Sequence, residues 1–109
     1  MATGVKSRVK LPKTAKTNEI ITIKTLITHR MESGQRLDDT GQLIPRSILN
    51  RFLCLFDQEV VVDLEIQPAV ATNPFFEFEV RVPYSGTFDF AWYDDDGSVY
   101  FAQKKITVV

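Results

Sequence analysis

Apolar and polar residues alternate along most of the chain with a period of two, which is typical of β-strands with one face buried. The segments "VKSRVKL", "EIITIKTLITH", "PFFEFEVRV" and "GTFDFAWYD" all follow this pattern. No helical periodicity of 3.6 residues persists for more than a turn, so the pattern predicts an all-β protein. The residues predicted to face inward in the last three segments are Ile21, Ile23, Thr25, Ile27, Phe76, Phe78, Val80, Val82, Phe88, Phe90 and Trp92.

Turn signals connect these strands. The segment "RFLCLFD" is apolar in both phases, which indicates a central strand covered on both faces or a strand whose outer face meets another chain. Because "EVVVDLEI" follows after only Asp57 and Gln58, we expect a hairpin there. Asp96 and Gly97 predict a turn before the last strand, "VYFAQKKITVV", whose apparent change of phase near Lys104 predicts a β-bulge. About seven strands predict one immunoglobulin-like antiparallel β-sandwich that spans residues 1–109.

A polar stretch of residues 30–44, which includes Gly34 and Gly41, interrupts the strands at a length where loops often carry function. His29 directly precedes this stretch and Met31 lies within it. An imidazole and a thioether two residues apart are a plausible pair of Cu(I) ligands. Two ligands do not complete a metal site. The alternative is that both side chains continue the inward phase of the preceding strand, with the Glu32 carboxylate accepting hydrogen bonds from nearby backbone donors.

Composition narrows the function classes. The 109 residues carry a formal net charge of −1, so the chain as a whole has no field that attracts nucleic acid or a membrane surface. No apolar run is long enough to span a membrane, and the N-terminal segment lacks the apolar core of a secretory signal, so the chain by itself is predicted to be cytoplasmic. Five cations precede the first acidic residue and favour a solvated strand face and loop over a binding patch: Lys6, Arg8, Lys10, Lys13 and Lys16.

No catalytic, metal or cofactor site is predicted. His29 is the single His, and no nucleophile motif or glycine-rich phosphate loop accompanies it. The acidic run of residues 94–96 lacks the ligand spacing of a calcium loop and favours a hairpin turn. Cys54 is the single Cys, which excludes an internal disulfide. Its phase, shared with Phe52 and Phe56, predicts a buried, protonated thiol, although a face that meets a partner chain is the alternative.

Three segments together resemble the SoxZ family of bacterial thiosulfate oxidation. "HRMESGQRLDDTGQLIPRSIL" is similar to the family motif H-x-M-E-[ST]-G-x-R and its following G-x-x-I-P segment, while "ATNPFFEFEV" and "FAWYDDDGSVYFAQKKITV" continue the likeness. Many relatives have Pro where this chain has Arg30 and Asn-Gly where it has Asp57 and Gln58. The motif positions, which the resemblance marks as a family signature and a candidate partner-recognition loop, are His29, Met31, Glu32, Gly34, Arg36, Gly41, Pro45 and Arg46.

The resemblance implies a noncatalytic subunit, without cofactors, that forms a heterodimer with SoxY, the carrier that holds the sulfur substrate on a Cys near its own C-terminus. It also implies indirect contact with other Sox enzymes and a periplasmic location reached by co-export with SoxY. Two other classes stay open from the residues alone: a copper-binding or protein-interaction module of immunoglobulin-like fold, and, less favoured, a stand-alone enzyme. An apolar outer face on "RFLCLF" further predicts homo-oligomers when the chain is isolated.

Overall fold

The computed structural model describes residues 5–66 and 72–109 and folds them into two packed β-sheets. Residues 1–4 and 67–71, which include the first residue of the "ATNPFFEFEV" segment, lie outside the described residues. The described strands are β1 (Lys6–Lys10), β2 (Thr14–Ala15), β3 (Glu19–Thr28), β4 (Leu49–Phe56), β5 (Glu59–Glu65), β6 (Phe75–Val82), β7 (Gly86–Asp94) and β8 (Val99–Val108). None of these residues forms a helix long and apolar enough to cross a membrane.

The strands form a sandwich of immunoglobulin-like type, as the alternation predicts. One sheet has the order β1-β3-β6 and the other the order β2-β8-β7-β4-β5. Every pairing is antiparallel except the two-residue pairing of β2 with β8, which is parallel. β2 is the strand beyond the predicted seven, because two residues are too few to show a period of two.

Aromatic rings from both sheets meet in the core. Phe52 of β4 lies 5.1 Å from the ring of Phe76 across the sandwich and 5.2 Å from Trp92 in the same sheet. Phe88, Phe90 and Trp92 have no exposed surface, which confirms the inward phase predicted for β7. The isoleucines of β3 are 0–3% exposed where the alternation places them inward, so hydrophobic burial fixes the register of both sheets.

The predicted hairpin between β4 and β5 is confirmed. Asp57 and Gln58 both have positive φ angles, 47° and 72°, as the turn of a two-residue hairpin requires. The Thr87 amide donates a hydrogen bond of 2.8 Å to the Asp57 carboxylate, which ties the turn to β7. The second predicted turn is also present, with Gly97 at φ 89° and its amide donating to the Asp94 carbonyl over 3.1 Å.

The predicted bulge near Lys104 is wrong. β7 and β8 keep an unbroken register from Gly86 opposite Ile106 to Tyr93 opposite Val99. The apparent change of phase arises because Phe101, an aromatic residue, lies on the outer face and is 73% exposed. The irregularities fall in β4 instead, between Cys54 and Leu55 against β5 and between Leu49 and Arg51 against β7.

Candidate functional site

The long loop between β3 and β4 is anchored by a buried contact between His29 and Asp94. His29 follows β3 and Asp94 ends β7 in the other sheet, so the contact joins the two sheets at one end of the sandwich. The His29 Nε2 atom lies 2.7 Å from the Asp94 Oδ2 atom, and the two side chains are 1% and 0% exposed. Removing such a pair from water is costly unless other hydrogen bonds satisfy it.

The hydrogen bonds around His29 define its tautomer. The Met31 amide donates to the His29 Nδ1 atom over 2.9 Å, so Nδ1 is the acceptor and carries no proton. The proton of the neutral ring is therefore on Nε2, which donates it to the Asp94 carboxylate. His29 thus connects the backbone of the loop to an acidic side chain 65 residues further along the chain.

The Asp94 carboxylate accepts three further hydrogen bonds. The Ser47 hydroxyl lies 3.0 Å and 3.1 Å from its two oxygens, the Tyr100 hydroxyl 3.2 Å from Oδ2, and the Asp96 amide 3.2 Å from Oδ1. These donors come from the loop, from β8 and from the turn before it. Hydrogen bonds to the ionised form stabilise a buried carboxylate without a cation.

Met31 completes the anchor. Its backbone adopts a left-handed conformation, with φ 55°, and its side chain is 8% exposed. The Leu49 amide donates to the Met31 sulfur over 3.4 Å. The His29 imidazole and the Met31 thioether, the pair considered for Cu(I), are therefore both buried and both bonded within the chain. In the described part of the chain, no cluster of three or more His, Cys, Asp or Glu side chains is placed to hold a metal ion.

Glu32 and Arg36 stabilise the start of the loop from its surface. The Arg36 guanidinium donates to the Glu32 carboxylate, with Nε 3.1 Å from Oε2, and this hydrogen bond lowers the pKa of Glu32. The expectation that the Glu32 carboxylate accepts from the backbone is wrong, because Arg36 fills that role. The backbone of Glu32 instead pairs with the backbone of Ser47 through two hydrogen bonds, of 2.8 Å and 2.9 Å.

The remaining motif residues shape the exposed side of the loop. Gly34, at φ 86°, packs so closely that a Cβ atom there would lie 3.2 Å from the Cβ of Arg46. Gly41, at φ 83°, occupies an open turn. Pro45 and Arg46 are exposed, and the Arg46 Nε atom donates to Asp95 over 2.7 Å. The loop therefore combines a buried anchor with an exposed surface that carries Arg36, Pro45 and Arg46.

Sequence reasoning missed the residues that hold the anchor: Asp94, Ser47, Tyr100 and Asn73. The sequence predicts only a turn at residues 94–96, although Asp94 continues the inward phase of Phe88, Phe90 and Trp92. A carboxylate that faces the core needs a hydrogen-bond partner. The single His also lies in an inward phase, so it could have been predicted as that partner. Asn73 gave no such signal, and it exchanges hydrogen bonds of 2.9 Å with the backbone of His29.

Cys54 lies in the core rather than on a surface. Its side chain has no exposed area, and it sits opposite Val62 of β5 and Phe90 of β7. Burial, with a smaller contribution from the charge of Asp89, raises the pKa of the thiol to about 12. A thiol that is protonated at neutral pH and closed to solvent is a poor nucleophile.

The basic N-terminal segment lies at the surface. Its five cations are all exposed, three of them on the outer face of β1. That face belongs to the three-stranded sheet, where Lys24 of β3 also pairs with Glu77 of β6 over 3.8 Å.

The fold and the site define a class of small immunoglobulin-like sandwich in which the longest loop is closed by a buried His–Asp contact. A sequence model of the family described as "Sulphur oxidation protein SoxZ" matches residues 9–105. The chain belongs to the SoxZ family. A search of curated protein sequences found no match.

Solved structures share the fold at low sequence identity. The sulfur carrier protein SoxY from Chlorobium limicola f thiosulfatophilum is 11% identical with a TM-score of 0.67, over 99% of this chain and 81% of that one. A superoxide reductase (neelaredoxin) from Ignicoccus hospitalis is 13% identical with a TM-score of 0.66, over 94% and 80%. A putative superoxide reductase from Thermotoga maritima is 16% identical with a TM-score of 0.65, over 94% and 85%. Likeness at this identity shows a shared fold alone.

Proposed function

We propose that this chain is the noncatalytic subunit of a SoxYZ-type carrier, a heterodimer in which a SoxY-type partner holds the sulfur substrate on a Cys near its C-terminus. Membership of the SoxZ family over residues 9–105 carries the proposal. The chain's contribution is a rigid sandwich on which the partner is stabilised and from which its carrier arm is presented to other Sox enzymes.

The chemistry of the single thiol and the single imidazole supports a noncatalytic role. Covalent attachment of a sulfur substrate needs a thiolate that reaches solvent. Cys54 is buried with its pKa raised to about 12, so it does not suit that reaction. Both ring nitrogens of His29 are hydrogen-bonded inside the chain, so the ring has no free atom for general base catalysis.

The long loop is the second part of the proposal. Its buried anchor holds Arg36, Pro45 and Arg46 at the surface, where they contact the carrier arm or the enzymes that act on it. Arg36 and Arg46 are 51% and 54% exposed beyond their ion pairs with Glu32 and Asp95, so each keeps donors for a partner. We also propose that the complex works in the periplasm after co-export on the signal of the SoxY-type partner.

Native mass spectrometry of the chain co-expressed with the SoxY of the same operon tests the first part. A dominant one-to-one heterodimer is expected, with the separately purified chain as the control. A chain that stays a monomer or homodimer beside the candidate partner would contradict the proposal.

Substitution of the exposed arginines tests the loop. The double variant Arg36→Ala and Arg46→Ala is expected to keep the heterodimer but to lower thiosulfate turnover in a reconstituted system. The matched control is Arg8→Ala with Arg81→Ala, which removes two exposed arginines from the outer face of the three-stranded sheet. Equal turnover for both double variants and the wild type would show that the loop has no recognition role.

A further inference from the structure

One side of β3 has no neighbouring strand over the first half of its length. β1 pairs with residues 24–28 of β3 and leaves residues 19–23 uncovered on that side in the described part of the chain. If the register continued, Pro12 would lie opposite Thr22, but Pro has no backbone N–H to donate. The chain instead crosses to the other sheet, where β2 pairs with β8. Proline thus ends the ladder between β1 and β3.

The direction of the backbone groups at this edge follows from the pairing of β3 with β6. The Ile27 amide donates to the Pro74 carbonyl over 3.2 Å, which places the odd-numbered residues of β3 in hydrogen-bonded pairs with β6. The N–H and C=O groups of the even-numbered residues therefore point to the other side, towards β1. At Thr22 no described residue supplies a backbone partner on that side. Thr22 presents a donor and an acceptor with which an added strand can pair.

A pocket lies beside this edge. Its volume is about 290 Å³, and the residues that line it are Lys10, Leu11, Pro12, Thr22 and Lys24, which we name the β3 edge site. The pocket lies where the chain turns away from β3, so it occupies the place that a longer β1 would fill. Its volume is near the lower end of the range for ligand pockets, about 300 Å³, which suits a peptide side chain better than a large cofactor.

Lys10 and Lys24 give the β3 edge site its positive charge. They lie directly opposite each other in the ladder of β1 and β3, with both side chains on the outer face. Like charges in such positions repel, and an anion beside them offsets the repulsion. Lys24 reaches Glu77 only at 3.8 Å, with the two side chains 51% and 52% exposed, and Lys10 forms no ion pair with a described residue. A carboxylate at the site therefore gains two ammonium groups.

Larger polyanions fit this surface less well. Glu77 and Glu79 of β6 lie on the same outer face, opposite Lys24 and Thr22. A nucleic-acid duplex or an anionic membrane would bring more negative charge against these two carboxylates. An extended peptide reaches the uncovered edge with its backbone and the two lysines with one side chain, without crossing β6.

We propose that the β3 edge site binds an extended acidic peptide segment of another protein, which adds to the sheet as a short strand beside Thr22. A Glu or Asp of the peptide lies opposite Thr22 on the outer face, next to Lys10 and Lys24. Backbone hydrogen bonds with Thr22 supply affinity for any extended chain, and the lysines supply the preference for an acidic one. The site goes beyond the proposed function, because it uses neither the partner's substrate Cys nor the long loop, and either proposal can fail alone.

NMR titration of the isotope-labelled chain with the capped peptide acetyl-Val-Glu-Val-Glu-Val-amide tests the strand addition. The largest shift changes are expected at Ile20, Thr22 and Lys24. The Thr22 amide is expected to exchange rapidly in the free chain and more slowly in the complex. The same peptide N-methylated at both Glu residues cannot donate to the Thr22 carbonyl, so it is expected not to bind.

Charge is tested with a second peptide and two double variants. The peptide with Gln in place of each Glu is expected to have a Kd about fivefold larger, because it lacks the carboxylates. Lys10→Gln with Lys24→Gln is expected to raise the Kd of the acidic peptide by about the same factor and to leave that of the Gln peptide within about twofold. The matched control, Lys104→Gln with Lys105→Gln, removes the same charge from exposed positions of β8. Thermal unfolding of both double variants checks that they remain folded.

Several results would overturn the inference. They are equal affinity for the acidic and Gln peptides, equal effects of the two double variants, and shift changes that leave out Thr22. Slow exchange of the Thr22 amide in the free chain would mean that the edge is already occupied by the chain itself or by a second copy. Tighter binding of a single-stranded oligonucleotide at the same residues would assign the lysines to nucleic acid. Loss of peptide binding only in the complex with the SoxY-type partner would assign the edge to that subunit.

Discussion

His29 shows why one side chain holds a long loop in place. Its ring accepts from the Met31 amide and donates to Asp94, so a single residue satisfies a backbone donor and a buried carboxylate at once. Each of these groups would lose a partner if the ring were removed, and an unsatisfied buried polar group costs more than a hydrogen bond contributes.

Replacing His29 by Leu is therefore expected to lower the free energy of unfolding by about 3 kcal/mol, because Asp94 loses a donor and the Met31 amide an acceptor. Urea denaturation at neutral pH measures the change. Arg30→Leu, the same replacement at the exposed neighbour, is the control and is expected to stay within about 0.5 kcal/mol of wild type. Similar stabilities for the two variants would contradict the anchor.

Alternation predicted the burial of His29 and Met31 but not the partners of either. Alternation with a period of two shows which face of its strand a side chain occupies. It does not show which strand lies across the sandwich. Asp94 is 65 residues from His29, and only the order of strands in the two sheets brings them within 2.7 Å.

At the scale of elements, two glycines with positive φ angles shape the backbone of the long loop between β3 and β4. Gly34 and Gly41 have nearly the same backbone angle, φ 86° and 83°, but different surroundings. A Cβ atom at Gly34 meets the Cβ of Arg46, which is not the movable end of a side chain, whereas one at Gly41 meets nothing within 4 Å.

This pair separates backbone strain from packing. Gly41→Ala is expected to cost about 1 kcal/mol from the left-handed conformation alone, and Gly34→Ala about 2 kcal/mol because the contact with Arg46 is added. Chemical denaturation of the two variants side by side measures the difference. If Gly41→Ala proved the more destabilising, the close approach of Gly34 to Arg46 would not contribute to the loss of folding free energy.

The strands themselves were largely predictable, because hydrophobic burial sets their phase. The exceptions have physical causes. β2 has only two residues, which are too few to show a period of two. In β8 the alternation gives the false impression of a change of phase, because the aromatic ring of Phe101 faces outward. Apolar residues in both phases of β4 indicate an unusual outer face, but the neighbours of that face, which include Asp63 and Asp89, depend on which strands lie beside β4.

Across the whole molecule, hydrogen bonds lower the pKa of several carboxyl groups. The hydrogen bond from Arg51 lowers the pKa of Asp63, that from Arg36 lowers the pKa of Glu32, and that from Thr40 lowers the pKa of Asp38. A carboxyl group whose pKa is lower in the folded state contributes stability that is present above its unfolded pKa and is lost as pH falls through the folded value.

Stability is therefore expected to be constant near neutral pH and to fall as the pH drops below about 4, the unfolded pKa of these groups. Urea denaturation at steps from pH 7 to pH 2.5 measures it. Asp63→Asn, which lacks one of the shifted groups, is expected to show a shallower fall, since its side chain has no proton to take up. A wild-type stability that rose on acidification would contradict the assigned ion pairs.

The sequence by itself determined the all-β class, the phase of the long strands, the two tight turns and, through its motif, the SoxZ family. These follow from local periodicity and from residue types at fixed spacing. Only the tertiary structure decided which groups meet: His29 with Asp94, Met31 with the Leu49 amide, and Gly34 with Arg46. Such contacts depend on strand order and register across the sandwich, and no stretch of neighbouring residues encodes that order.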